Sequence, residues 1–154
     1  ANESGADILA GQVKDVPEYI RKMYGYNSFV NSFGISIDEI SCGSAVLSIE
    51  IDPLKHFDHR GFCHGGVLTA LADSVLSVTG ASAGAAVATL NLSMNFIRNV
   101  HNAGRISVKS KIRHHGRTTM VIEAEMFDEE HTVLATFLST MLVVGKFEEI
   151  PEKW

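Results

Sequence analysis

The chain has 154 residues, of which 45% are hydrophobic and 20% are charged. That length suits one globular domain whose core needs no disulfide or metal support. A formal net charge of −5 argues against a general nucleic-acid binder, which would be basic. Cys42 and Cys63 are too few for a disulfide framework, which favours a reducing compartment.

Two stretches bear on where the chain resides. Residues 1–5 contain no basic region followed by an apolar one, so no secretory signal is expected. The apolar run 67–97 is long enough to suggest a membrane span, but Asp73, two glycines and many hydroxyl residues interrupt it. We therefore expect a soluble cytoplasmic protein without a membrane or nucleic-acid partner.

The first half of the chain predicts a helix, a hairpin and a loop. Residues 17–31 mix apolar and charged side chains after a proline, which is typical of a peripheral helix. Residues 34–51 alternate with period two and predict two strands of a hairpin. Residues 52–62 contain Pro53, two histidines and Gly61, and are expected to be a loop.

A long helix is predicted to begin at Gly65 and Gly66 and to end near Gly80 or Gly84. One stripe of it carries large apolar side chains at helical spacing. The opposite stripe carries small residues with Asp73 among them, which would let another backbone approach closely. Because the helix is apolar or small nearly all round, we expect it to be buried.

Four strands are predicted after that helix, at 86–98, 105–114, 118–127 and 132–144. A hairpin, a long helix and a further run of strands indicate the α+β class, with a curved antiparallel sheet wrapped around the helix. Such a sheet leaves edge strands that need covering, so dimerisation through an edge is a hypothesis at this point.

Asp73 is the only formally charged residue between Arg60 and Arg98. In a buried helix its carboxylate needs hydrogen-bond donors or a raised pKa, and either condition is typical of a functional site. The alternative is a structural aspartate bonded to backbone or to a dimer contact.

Gly65 and Gly66 suggest a second functional element. A helix start presents unsatisfied amides and about half a positive charge, and glycine lets a ligand approach the backbone. One amide that holds a developing oxyanion is typically worth ~3–4 kcal/mol of barrier. The alternative is that the glycines only permit a tight turn into the helix.

Together these residues resemble a known family. The His-Gly-Gly of His64–Gly66, followed by the Leu-Ala-Asp of Leu71–Asp73, looks like the signature of the hotdog-fold thioesterases related to the phenylacetate-pathway (PaaI-type) enzymes. Three later segments resemble the family in order and roughly in spacing: 88–98, 115–118 and 127–135. The similarity covers roughly residues 34–144.

The resemblance implies a single hotdog domain over 1–154, with 1–32 as a peripheral helical segment and 33–145 as the core. It implies an acyl-CoA thioesterase that hydrolyses an acyl- or aryl-CoA to CoA and a carboxylic acid. It also implies a homodimer or homotetramer with active sites at the dimer interface. No cofactor and no metal are expected, since CoA is part of the substrate.

The family's roles carry over to four positions. Asp73 would be the nucleophile or the general base for water, and the Gly65 amide would polarise the thioester carbonyl. His64 would lie beside that site, and Thr89 would help to orient water. In the family the glycine and the aspartate come from different subunits.

The implied substrate-binding positions include one departure from the family. Asp58 stands where members often carry an asparagine that holds the carbonyl, and an ionised carboxylate cannot donate that hydrogen bond. We expect it either to turn away towards His56, His59 or Arg60 or to mark an altered enzyme. The full set is Asp58, Gly66, Arg98, Asn99, His115, Gly116, Arg117 and Thr118.

Charge supports an anionic ligand such as CoA. No acidic residue occurs in 74–122, although six basic ones do. The alternative is a solvated strand face.

Other functions remain open. His56, His59, Cys63 and His64 are close in sequence, but their spacing fits neither a zinc-protease helix nor a zinc finger. A Cys63 thiol nucleophile lacks an orienting group. A non-catalytic acyl-CoA-binding protein and a hotdog dehydratase that uses His64 and Asp73 are the remaining alternatives.

Overall fold

The computed structural model describes residues 13–154, so the predictions for residues 1–12 lie outside the described residues. Six strands and four helices make up the described part. No helix in this part of the chain is long and apolar enough to cross a membrane.

The peripheral N-terminal segment forms two helices, α1 (Val16–Tyr24) and α2 (Ser28–Phe33), where the sequence predicts one. Helix α1 ends before Gly25. A new helix, α2, follows the cap residue Asn27, whose side chain accepts a hydrogen bond from a backbone amide of the first turn of α2 at 3.0 Å. An asparagine cap stabilises a new helix start, which explains the break.

The six strands form one antiparallel sheet. They are β1 (Ile35–Ser41), β2 (Ser44–Ile51), β3 (Ala85–Phe96), β4 (Gly104–His115), β5 (Thr119–Phe127) and β6 (Val133–Lys146). Their spatial order is β1-β2-β4-β5-β6-β3, so β1 and β3 lie at the edges. The predicted α+β class, an antiparallel sheet around one long helix, is confirmed.

The segment between β2 and the long helix is more ordered than the predicted loop. It contains a short helix, α3 (Pro53–His56), whose Asp52 cap accepts a hydrogen bond from a backbone amide at 2.9 Å. Proline suits the first position of a helix because its missing N–H is not needed there. A single bridge between Phe57 and Cys63 then closes the segment into a compact loop.

The long helix, α4 (Gly65–Ser82), fills the concave side of the sheet. Leu71, Val75 and Leu76 are fully buried against alternate residues of the strands. Burial of one such side chain stabilises the fold by ~1.5–3 kcal/mol. The core therefore lies between α4 and one face of the sheet.

The prediction that α4 is buried all round is wrong for one stripe. Gly66 and Asp73 are exposed, and Thr69, Ala70 and Ser77 on the same side are half-buried. The sheet of a single chain curves around only part of the helix, so this stripe of small residues faces outward. Asp73 is consequently an exposed carboxylate in one chain, not the buried one that the pattern predicts.

Residues 147–154, called the C-terminal tail below, cover the end of α4. The indole Nε1 of Trp154 donates to the Ser82 carbonyl oxygen at 2.6 Å, and the Phe147 amide donates to the Gly84 carbonyl oxygen at 2.9 Å. Ile150 is 4% exposed. The buried core thus continues past residue 145, where the resemblance placed its limit.

Candidate active site

The start of α4 is organised by a histidine cap. His64 precedes the helix in an extended conformation, and its Nδ1 accepts a hydrogen bond from the Gly66 amide at 2.8 Å. A Cβ atom at Gly66 would lie 2.9 Å from that Nδ1, so the cap requires glycine there. The Gly66 amide therefore already donates its hydrogen bond to His64, although the resemblance makes Gly66 a substrate contact.

The Gly65 amide is the free donor at this helix start. Within residues 13–154 it donates to no protein atom, and it belongs to the first helical residue, whose N–H has no partner inside the helix. The Phe96 ring lies beside it, since a Cβ at Gly65 would be 3.6 Å from the ring atom Cζ. An apolar neighbour excludes water, which strengthens any hydrogen bond that this amide makes.

Asp73 is paired with Thr89. The Thr89 hydroxyl on β3 donates to Asp73 Oδ1 at 2.7 Å, and both residues are exposed. Within the described residues, Oδ2 of the same carboxylate receives no hydrogen bond. The hydroxyl fixes the orientation of the carboxylate and leaves one oxygen available for chemistry.

Asp58 turns into its own loop. Its carboxylate accepts hydrogen bonds from the Phe62 and Arg60 amides at 3.2 and 2.8 Å, and Oδ2 pairs with the Arg60 guanidinium at 2.9 Å. The hydrogen bond from the Phe62 backbone, followed by the bonds and the charge of Arg60, lowers the pKa of Asp58 to about 2. The expected turn towards Arg60 is the one observed, so this carboxylate is ionised and committed to the loop.

Cys63 is a protonated thiol at neutral pH. Burial, followed by the negative charge of Asp58, raises the pKa of Cys63 to about 11. A thiol needs to lose its proton to attack a thioester, so this environment opposes the thiol-nucleophile alternative. Across residues 13–154, no group of three or more His, Cys, Asp or Glu side chains is placed to hold a metal ion.

Comparison with known proteins shows a resemblance to one family. A model described as the thioesterase superfamily matches residues 60–135. The structure of the Escherichia coli PaaI protein from the phenylacetic acid degradation operon shares the fold with a TM-score of 0.80, at 23% identity over 85% of this chain and 94% of that chain. Over residues 60–135 the chain is similar to the thioesterase superfamily. Its six-stranded sheet around α4 is the hotdog fold of that family.

Two further relatives agree with the assignment. Acyl-coenzyme A thioesterase PaaI of Escherichia coli (strain K12) is 26% identical over 115 residues, which is 75% of this chain and 81% of that protein. The structure of smu.793 from Streptococcus mutans UA159, bound to acetyl CoA, has a TM-score of 0.70 at 25% identity and covers 73% of this chain and 90% of that one. The expected PaaI-type resemblance and the expected enzyme class, a thioester hydrolase, are confirmed.

The substrate-binding positions that the resemblance implies fall at opposite ends of the sheet. Arg98 and Asn99 follow β3 and lie near the start of β4, whereas His115–Thr118 form the turn at its end. A strand of 12 residues spans roughly 36 Å at about 3.3 Å per residue. One chain therefore does not bring the two groups into one site.

The basic face of β4 is largely neutralised by its neighbours. Arg105 lies 3.1 Å from Glu50 and Arg113 lies 3.4 Å from Glu123, while Lys109 stands opposite Glu125 in the β4–β5 register. These pairings favour the solvated strand face over a continuous anion-binding strip.

No direct signal in the sequence predicts a small cavity that lies next to the exposed stripe. A space of about 350 Å³ lies between α4 and the end of α1, lined by Tyr24, Tyr26 and Ser77 among others. Burial raises the pKa of Tyr24 to about 12, against a smaller opposing effect of its hydrogen bond with Ser77. Ser77 is one helical turn beyond Asp73, so the cavity adjoins the Asp73–Thr89 pair.

Proposed function

We propose that this protein hydrolyses an acyl-CoA or aryl-CoA thioester to free CoA and a carboxylic acid. The observation that carries the proposal is the Asp73 carboxylate, oriented by the Thr89 hydroxyl at 2.7 Å with its second oxygen unoccupied. Two relatives support the substrate class: one is named an acyl-coenzyme A thioesterase, and the other is described as bound to acetyl CoA.

The chemistry assigns separate roles to Asp73 and Gly65. Asp73 takes a proton from water as the hydroxide adds to the thioester carbon, or its own oxygen adds and the resulting anhydride is hydrolysed by water. In either route the carbonyl oxygen becomes negative and is held by the Gly65 amide. Collapse of the tetrahedral adduct breaks the carbon–sulfur bond, and the CoA thiolate leaves and takes up a proton.

The same geometry favours a site built from two copies of the chain. Gly65 and Asp73 are eight residues apart on one helix, about 12 Å along its axis at about 1.5 Å per residue. A donor about 3 Å from the carbonyl oxygen and an attacking atom about 3–3.5 Å from the carbonyl carbon lie much closer together than that. We therefore propose that Gly65 of one copy works with Asp73 of another.

The surface around Asp73 is suited to such a contact. β3 is an edge strand of 12 residues, and long exposed edges are rare in isolated chains because they pair with other strands. Leu90, Phe96 and Ile97 on and beside it are more than half exposed. A second copy that packs on β3 and on the exposed stripe of α4 would bury them and complete the site, in a homodimer or a tetramer built from it.

His64, Asp58 and the cavity beside Tyr24 complete the proposal. His64 acts through the Gly66 amide, as a positioning residue that fixes the helix start. Asp58 does not contact the carbonyl, which leaves the Gly65 amide as the donor for the oxyanion. The acyl group lies in the cavity beside Tyr24 and Ser77, whose volume of about 350 Å³ suits a short chain or one aromatic ring.

One alternative is favoured by a specific observation. Because Asp58 is bound to Arg60 and cannot replace an amide donor, the protein would bind acyl-CoA without hydrolysing it if the Gly65 amide alone were insufficient. The dehydratase alternative has less support, since His64 Nδ1 already accepts a hydrogen bond from the Gly66 amide at 2.8 Å and caps the helix.

The test is hydrolysis of a panel of CoA thioesters with short, medium, long and aromatic acyl groups, followed by thiol release. Wild type is compared with Asp73→Asn and Asp73→Ala. We expect turnover that falls by about 10²–10⁴-fold in both variants while KM changes little. Binding of CoA esters by wild type without any turnover would establish the binding protein instead, and turnover that survives in both variants would remove Asp73 from the mechanism.

A further inference from the structure

One histidine joins the two ends of the segment between β2 and α4. His56 ends α3, and its imidazole Nδ1 accepts a hydrogen bond from the Asp52 amide at 2.9 Å. Its backbone carbonyl oxygen accepts a second hydrogen bond, from the His64 amide, at 2.8 Å. The same residue is therefore bonded to the chain just after β2 and to the residue that caps α4.

The hydrogen bond to His64 bears on the direction of the Gly65 amide. The His64 amide is fixed by His56, and the His64 carbonyl oxygen accepts a hydrogen bond from the Val67 amide at 2.9 Å. Because a peptide unit is planar and trans, the His64 carbonyl and the Gly65 N–H share one plane and point in opposite directions. The two hydrogen bonds on the backbone of His64 thus set where the Gly65 amide points.

The imidazole of His56 is held in place by stacking. It lies on the Phe33 ring of α2, with 6.4 Å between the ring centroids and 20° between the ring planes, and Phe33 stacks in turn on Phe29 at 4.9 Å. Aromatic pairs at such distances stabilise one ring orientation. Since Nδ1 accepts the hydrogen bond from Asp52, the ring is neutral and carries its proton on Nε2. With its side chain anchored in this way, His56 keeps its backbone carbonyl directed at His64.

The neighbouring polar residues make different links. The hydrogen bonds of the Asp58 carboxylate stay inside its own loop. The Cys63 amide donates to the Val100 carbonyl oxygen at 2.6 Å, which ties that loop to the connection between β3 and β4. Within residues 13–154, the acceptor of the His64 amide is the His56 carbonyl.

We propose that His56 is a positioning residue for the hydrolysis, which directs the Gly65 amide at the thioester carbonyl through His64. The inference rests on the proposed function for the role of that amide. Negative charge on the carbonyl oxygen develops only as the thioester is attacked, so a misdirected amide weakens the transition state more than the bound substrate. The expected effect is therefore on kcat and not on KM.

Three substitutions at position 56 separate the acceptor atom from the ring. His56→Phe keeps a ring beside Phe33 and loses the acceptor, His56→Asn places an amide oxygen where Nδ1 lies, and His56→Gln places its oxygen one bond farther from the backbone. His56→Phe and His56→Gln should lower kcat about 10- to 100-fold with KM unchanged, which is less than the loss of about 10²–10³-fold typical of removing an oxyanion donor outright. His56→Asn should retain most of the activity. The matched control is His59→Gln, since His59 is an exposed histidine of the same segment for which residues 13–154 provide no side-chain hydrogen bond.

Hydrogen exchange separates this inference from the catalytic proposal, because it needs no turnover. Exchange of the His64 amide, followed by NMR, should become about 2- to 10-fold faster in His56→Phe and His56→Gln, in keeping with the net worth of one hydrogen bond. It should stay at the wild-type rate in His56→Asn and His59→Gln. A protein that hydrolyses no thioester but shows this pattern would refute the catalytic proposal and still support the link from His56 to His64. Unchanged His64 exchange in His56→Phe, equal losses of kcat in His56→Asn and His56→Phe, or a rise in KM as large as the fall in kcat would overturn the inference.

Discussion

At the scale of single residues, the carboxylate and the hydroxyl that orients it are the centre of the account. Asp73 is exposed in one chain, where a free carboxylate would rotate among several rotamers. The Thr89 hydrogen bond at 2.7 Å selects one orientation, with Oδ2 free. A charged acceptor makes this bond stronger than a neutral one.

Loss of the Thr89 hydroxyl should therefore affect turnover more than binding. A hydrogen bond to a charged group is worth ~1.5–3 kcal/mol, so Thr89→Ala should lower kcat by roughly 10- to 100-fold with little change in KM. Thr89→Ser keeps the hydroxyl and should retain most of the activity. Steady-state thiol release measures both, and equal kcat values for the two variants would show that the hydroxyl does not position Asp73.

The lowered pKa of Asp58 leads to a prediction about the stability of the folded protein in acid. Its pKa is lowered from 3.8 to about 2, so its contribution to folding is complete above pH 3.8 and is lost as the pH falls towards 2. The melting temperature of wild type should drop more steeply than that of Asp58→Asn across this interval, since the asparagine has no proton to gain. Activity of the variant at neutral pH should hold or rise. Parallel melting curves from pH 5 to pH 2 would contradict the hydrogen-bonded, ionised carboxylate.

The sequence identifies these residues better than it identifies their surroundings. Asp73 stands out because it is the only charge in a long apolar segment, and Gly65 because of the helix start that follows it. The exposure of Asp73 could not be predicted, because the pattern of apolar and small residues does not say which of them would face a second copy of the chain. The loop hydrogen bonds of Asp58 depend on backbone amides, which leave no trace in side-chain identity.

At the scale of elements, α4 is defined by what holds its two ends. His64 caps the start through the Gly66 amide, while the C-terminal tail covers the end through Trp154. The first device lies next to the helix in sequence and is visible in the His-Gly-Gly motif. The second joins residues 72 positions apart, so no local pattern predicts it. The break between α1 and α2 is intermediate in how well the sequence predicts it. The Asn27 cap is a local signal, but the apolar periodicity masked it.

Substitutions at two glycines test whether the C-terminal tail packs against the end of α4. Gly84 has φ 78° and an added Cβ would lie 2.8 Å from the Ile150 carbonyl oxygen, whereas Gly34 has φ 71° with nothing within 4 Å. Gly34→Ala should lower the free energy of unfolding by ~1–2 kcal/mol, because alanine is strained in the left-handed backbone conformation. Gly84→Ala should lower it by more, because the C-terminal tail must also move away.

Thermal unfolding measures this difference directly. Each kcal/mol corresponds to about 2–4 °C in melting temperature for a chain of this size. Equal losses for the two variants would mean that the tail does not rest on Gly84.

At the scale of the whole molecule, the proposed mechanism divides the site, so that one chain carries two incomplete halves of it. The Gly65 amide and the Asp73 carboxylate lie on one rigid helix, and the sheet covers only one side of it. The fold class was accessible from the order of the elements, since a long helix between a hairpin and a run of strands allows few arrangements. The resemblance implied a shared site, and the helix geometry supplies the physical reason for it.

The most direct measurement of that central claim is complementation between two inactive variants. Gly65→Pro removes the amide hydrogen and adds a ring that the first helical position tolerates, with its Cβ at van der Waals distance, 3.6 Å, from Phe96 Cζ. Gly65→Ala keeps the amide and serves as the matched control, with activity retained. The partner variant is Asp73→Ala, which keeps Gly65 intact.

The two inactive variants are mixed, unfolded and refolded together, and thiol release is measured. A site shared between copies predicts recovery to about a quarter of wild-type activity, since about half of randomly paired dimers are mixed and each has one intact site of two. No recovery, with dimers demonstrated by light scattering, would show that Gly65 and Asp73 do not act across two copies and would contradict the account.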